Sequence, residues 1–195
     1  IDNYGAKWAV ILSENVTFQD IGSLTFSNNA ADMSNTEALY GAGAIAANDT
    51  VAFSNTGALT FSNNSVSADS GASGGAIYAS GGASFTSTGA ISFSGNSAMT
   101  HGGAIHTDGN VTFSGVGALT FSDNHASTYG GAIGAYGDIT ISDSGAASFS
   151  GNTAYEGGAL DAYNVAISGN TGTVLFENNS AENAGGAINL QGGGS

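Results

Sequence analysis

Residues 102–124 read GGAIHTDGNVTFSGVGALTFSDN, and this stretch recurs along the chain with nearly constant internal spacing. Copies cover residues 7–29, 42–64, 74–96, 102–124, 130–152 and 157–179, each closing on Phe-x-x-Asn, and a further copy opens at Gly185. The connections between copies vary more, from residues 153–156 to residues 30–41. A unit of this size repeated end to end predicts a solenoid, in which each unit contacts only its neighbours.

Three short stretches of 102–124 alternate apolar with small polar residues, and glycine-containing breaks separate them. They are 103–107 with Ile105 inward, 111–113 with Val111 and Phe113 inward, and 119–121 with Leu119 and Phe121 inward. His106 and Thr107 are expected on the exterior. No hairpin signal joins the stretches, so each strand should pair in parallel with its equivalent one coil away, about 4.8 Å along the axis. The expected fold class is all-β: a right-handed parallel β-helix with three strands per coil, about six and a half coils and roughly 30 Å long. Residues 1–190 read as one such body and 191–195 as a linker tail.

Equivalent positions stack sensibly. The first strand contributes an inward column of Val10, Ile45, Ile77, Ile105, Ile133, Leu160 and Ile188. The third contributes Phe26, Phe61, Phe93, Phe121, Phe149 and Phe176 without a break. Gly22, Gly57, Gly89, Gly117, Gly145 and Gly172 recur ahead of the third strand, which predicts a backbone conformation costly for other residues. Asn29, Asn64, Asn96, Asn124, Asn152 and Asn179 follow the Phe column and predict a ladder of side-chain amides. The copy at 157 loses a residue before Val165 and regains one in 168–171, so the strands keep register. Trp8 and the apolar run 9–12 read as a covered end.

Composition narrows the function. Fifteen acidic residues face one Lys and no Arg, for a net charge of −14. Phosphate recognition needs cations, so nucleic-acid binding is excluded and attraction to anionic lipid disfavoured. The carboxylates of Asp108, Asp123, Asp138, Asp143, Glu156 and Asp161 fall at different repeat positions, without the facing pair a glycosidase needs. His101, His106 and His125 occupy three unrelated repeat positions, with no triad or zinc spacing. No enzyme activity, catalytic residue, cofactor or metal site is therefore expected.

The GGAI stretches at 74–77, 102–105, 130–133 and 185–188, GGAL at 157–160, and FSNN, FSGN, FSDN and FENN resemble the repeats of the chlamydial polymorphic membrane proteins. The resemblance covers residues 7–190, although the Cys common in that family is absent here. It implies a β-helical autotransporter passenger, secreted or displayed on the bacterial outer surface, acting in adhesion to host cells and in self-association. The implied partners are a host-cell receptor or a second copy, without nucleic acid or membrane insertion. The family attributes adhesion to both motifs, here Gly74, Gly75, Ala76, Ile77, Phe93 and Asn96, then Gly102, Gly103, Ala104, Ile105, Phe121 and Asn124, then Gly130, Gly131, Ala132, Ile133, Phe149 and Asn152. The residue pattern instead places their Ile and Phe inside, as structural positions.

Loops are the better partner contacts. Met33, Leu39 and Tyr40 make 30–41 unusually apolar, which suits partner contact or folding back onto the coil. An alternative reading takes the outward hydroxyls Thr25 and Ser27, Thr60 and Ser62, Ser92 and Ser94, Thr120 and Ser122, and Ser148 and Ser150 as an ice-binding array. A purely structural solenoid and a polysaccharide-acting enzyme complete the alternatives.

Overall fold

The computed structural model describes residues 9–33, 41–67 and 71–192. Trp8, Leu39, Tyr40 and the end of the expected tail lie outside the described residues. The chain is an all-β parallel solenoid, built from four sheets of seven, six, six and six strands. One coil runs through Ile105–Thr107, Asn110–Ser114, Leu119–Ser122 and His125–Ala126, one strand in each sheet. Every strand pair is parallel, and each strand lies against its equivalent in the neighbouring coil, as Phe93 lies against Phe61 and Phe121.

Two counts differ from expectation. There are four strands per coil rather than three, and about five turns rather than six and a half. The additional sheet comes from the connections. Ser97–Ala98 pairs with Ser65–Ser67 on one side and His125–Ala126 on the other. Such strands offer one inward apolar residue each (Val66, Ala98, Ala126), too few to reveal an alternation.

The first coil is also shifted by one residue. Ile11, not Val10, pairs with Ile45, which shortens the turn before Val16 as the coil at Leu160 shortens its turn before Val165.

Two columns of rings fill the interior. Phe26, Phe61, Phe93, Phe121, Phe149 and Phe176 stack at centroid distances between 4.6 and 5.2 Å, with nearly parallel ring planes. Phe18, Phe53, Phe85 and Phe113 form the second stack and meet the first edge-on, as Phe85 meets Phe93 at 6.1 Å and 89°. Offset and edge contacts suit the ring quadrupole and add about 0.5–1.5 kcal/mol per pair to the burial.

The Gly-Gly pair has two separate causes. Gly102 adopts φ +59°, a left-handed conformation that L side chains avoid. Gly103 sits in a tight corner, where a Cβ would lie 2.1 Å from the Gly131 carbonyl oxygen and 2.6 Å from the His125 nitrogen. The glycines ahead of the third strand differ from expectation: Gly89, Gly117 and Gly145 are absent from the positive-φ positions, and what forbids a side chain is the neighbouring coil's backbone at about 2.9 Å.

The expected amide ladder is present. Asn64 Nδ2 donates to Asn96 Oδ1, Asn96 to Asn124, Asn124 to Asn152 and Asn152 to Asn179, each at 2.9 Å. The same Nδ2 groups also donate to phenylalanine carbonyls across the corner, as Asn96 does to Phe61 O at 3.0 Å. The residue before each Asn turns the corner with positive φ, which explains why FxxN carries Asn63, Asp123, Asn178 or a glycine there.

Candidate functional site

The apolar and Asn residues of the repeated motifs lie inside the coil. Ala76, Ile77, Ala104, Ile105, Ala132 and Ile133 are fully buried, as are Phe93, Phe121, Phe149, Asn96, Asn124 and Asn152. Gly74, Gly75, Gly102, Gly103, Gly130 and Gly131 turn the corner that leads into the first sheet. Of the two readings of loop 30–41, Met33 follows the inward one, buried beside Ala31, Val66, Ala72 and Ala98.

The expected exterior position of His106 and Thr107 is corrected: both are buried, at 1% and 0% exposure. Most strands of the first sheet are covered on both faces, because the connections from the fourth sheet fold against their outer side. His101 and Tyr129 belong to these connections and pair with each other through an isolated parallel bridge. The outer column of the first sheet, running Ala46, Tyr78, His106, Gly134, Asp161 and Asn189, is where chemistry varies from coil to coil.

Around His106 these variable residues form one cluster. Its ring lies 5.0 Å from that of His101, 5.3 Å from Tyr136 in edge contact, and 5.8 Å from Tyr78. His101 in turn stacks on Tyr129 at 5.1 Å. His106 Nδ1 donates to the Gly134 carbonyl at 2.9 Å, and its Nε2 faces Asp108 Oδ1 at 3.5 Å. The Tyr78 hydroxyl donates to the other Asp108 oxygen at 3.2 Å. Sequence spacing separates His101 from His106 because they lie on different elements; only the fold brings them together.

The electrostatics follow from this enclosure. Burial, reinforced by the neighbouring His106, lowers the His101 pKa from 6.5 to about 4, with Asp108 opposing. The His106 ring beside it holds the Asp108 carboxyl below its usual range, assisted by the Tyr78 hydroxyl and opposed by burial. Two coils away, burial raises Asp161, although Asn189 at 2.7 Å and Gln191 both donate to its carboxylate. Among the described residues no three His, Cys, Asp or Glu side chains are grouped to hold a metal ion.

Exposed aromatics flank the cluster. Tyr136 and Tyr163 are 49% and 53% exposed and occupy equivalent corners of adjacent coils, immediately after their first-sheet strands. On the third sheet the outward hydroxyls of Thr60, Ser92, Thr120 and Ser148 are in register, until Leu175 and Glu177 interrupt the columns.

Four stretches, residues 58–80, 90–108, 118–136 and 173–191, match the model of the Chlamydia polymorphic membrane protein repeat. The chain carries polymorphic membrane protein-type repeats. In the coil at 102–124 and its equivalents, the matched polymorphic membrane protein unit begins at the third sheet, turns through the Asn ladder and the fourth sheet, and ends after the first-sheet strand. It therefore includes the connection that covers the first sheet. Comparison with curated proteins and with solved structures gives no match. Among the described residues no helix is long and apolar enough to cross a membrane. The repeats and the solenoid together fit an autotransporter-passenger-like surface protein.

Proposed function

We propose that this chain is part of a passenger displayed on a bacterial outer surface, where it attaches the cell to a host cell without covalent chemistry. The observation that carries this reading is the division of labour in the coil. The recurring motif residues are spent on the interior, while the exposed Tyr136 and Tyr163 and the partly exposed Asp108 concentrate on one side, over the buried His106. A rigid solenoid with a varied lateral strip is suited to presenting contacts along its length. The polymorphic membrane protein-type repeats support the surface location.

Beads coated with the chain should bind cultured epithelial cells, and soluble chain should compete. Attachment no greater than that of albumin-coated beads overturns the reading. Sedimentation of the soluble chain tests self-association separately: a concentration-dependent dimer supports it and a monomer throughout removes it.

A second reading has its own observation, the in-register hydroxyl columns of the third sheet. Ice binding on that face requires thermal hysteresis at high protein concentration, and its absence discards this reading.

A further inference from the structure

The connections that fold against the first sheet place one residue beside each position of its outer column. His101, Tyr129 and Glu156 are equivalent residues of three such connections, and His106, Gly134 and Asp161 are the strand residues of the same coils. The coil with a histidine pair is thus followed, two coils away, by one with a carboxylate pair. Asp161 is buried, at 1% exposure. The fourth sheet shifts register between Ala154 and Glu156, and an irregularity of this kind re-aims a side chain. Asn189, the next residue of the outer column, donates from one Nδ2 to both acids, at 2.7 Å to Asp161 Oδ2 and 3.2 Å to Glu156 Oε2. Asn183 donates to the other Glu156 oxygen at 2.7 Å, and Gln191 to the other Asp161 oxygen. All three donors are neutral amides. The described residues include no Lys or Arg, and the one group able to carry positive charge that acts on Asp161 is His106.

We propose that Glu156 and Asp161 share one proton in mild acid and so form a latch that holds the strand Ile188–Leu190 more firmly than at neutral pH. Two carboxylates converging on one nitrogen repel each other, and burying one of them ionised without a cation is costly. A single proton removes one charge and supplies a donor between two acceptors. The amides that read this state belong to the strand itself and its flank: Asn189 lies within it, and Gln191 follows it. The Gln191 backbone N–H donates to Ala162 O at 2.8 Å, and that of Gly192 to Tyr163 O at 3.0 Å. Burial holds the Asp161 carboxyl above its usual range, with the Glu156 charge adding to this and Asn189, Gln191 and His106 opposing. The seated strand therefore takes up the proton before the loosened one does, and its stability rises as pH falls toward the carboxylate range. His101 acts with the opposite sign, because burial lowers its pKa. Acid thus weakens the coil of the histidine pair and firms the coil of the carboxylate pair.

Amide hydrogen exchange at Gln191 and Gly192, corrected for the intrinsic rate, reads the latch in the intact chain. Protection at both should rise about fivefold between about pH 7.5 and about pH 5, while the interior strand Leu119–Ser122 shows no such rise. Asp161→Asn keeps the shape of the acid without its charge and should abolish the pH dependence at Gln191 and Gly192. The carboxyl carbon resonance of Asp161 should titrate above the ordinary value of about 3.9, and Glu156→Gln should bring that midpoint down. Protection that does not change with pH in the parent chain overturns the proposal, as does an equal rise in Asp161→Asn or at Leu119–Ser122. An Asp161 midpoint at or below the ordinary value, or one unmoved by Glu156→Gln, overturns it as well. If Asp161→Asn does not fold, exchange in the parent chain and the titration of Asp161 in Glu156→Gln decide.

Discussion

Asn96 and Asn124, separated by 28 residues in sequence, are joined by a side-chain hydrogen bond of 2.9 Å, and Asn124 Oδ1 also accepts the Asn96 backbone N–H at 3.0 Å. One amide oxygen thus satisfies two buried donors of the preceding coil, while Asn124 Nδ2 serves Asn152 and the Phe93 carbonyl. Asn124→Ala leaves several buried groups unpaired and should cost about 2–4 kcal/mol. Asn124→Asp keeps the acceptors but loses both donors, and should also destabilise. Urea titration followed by circular dichroism measures both; a loss below the noise for Asn124→Ala removes the ladder's claim to stability.

The ring column makes a graded prediction. Phe93 is fully buried between Phe61 at 4.6 Å and Phe121 at 4.8 Å. Phe93→Ala should cost about 3–5 kcal/mol. Phe176 is only partly buried, so Phe176→Ala should cost clearly less. Equal midpoint shifts for the two variants contradict the stacking account.

Gly103 and Gly115 separate lack of space from backbone strain. Gly103→Ala drives a methyl into the Gly131 carbonyl and the His125 nitrogen, so the coil has to open. Gly115 has φ +61°, but a methyl added there would meet no atom closer than 3.9 Å. Gly115→Ala should therefore cost only about 1 kcal/mol. Thermal unfolding should rank Gly103→Ala far below Gly115→Ala, and the reverse order is incompatible with the corner described.

His101 gives the fold an acid sensitivity. Its pKa is about 4 when folded and near 6.5 when unfolded, so the unfolded chain takes up the proton first as pH falls. Stability from this residue is intact above pH 6.5, declines between about 6.5 and 4, and levels off below. His101→Phe keeps a ring against Tyr129 and should flatten the decline over that window. Melting temperatures across the range check this, and an unchanged slope in the variant assigns the acid response elsewhere.

How much of the molecule is legible in its sequence depends on how far each signal repeats. The Phe and Ile columns and the Asn ladder recur from coil to coil, so spacing alone locates them. The fourth sheet is hidden because Ser97–Ala98 and His125–Ala126 are two residues long and carry only Ala98 or Ala126 inward. At the first coil a constant turn length points to Val10, and since Val10 and Ile11 are both apolar, hydropathy does not choose between them. The cluster at His106 escapes for the opposite reason: Tyr78, His106 and Asp161 share one strand position without sharing a chemistry. Aligning the middle residue of each first-sheet strand marks that column as a varied one, which is the signal that leads to the cluster.

The rungs of the amide ladder are 35, 32, 28 and 27 residues apart along the chain, yet their lengths stay between 2.7 and 2.9 Å. Coil register is therefore indifferent to the length of the segment it spans. Connections of different length are absorbed outside the ladder, as in the register shift between Ala154 and Glu156 of the fourth sheet, while the stack beneath them stays the same.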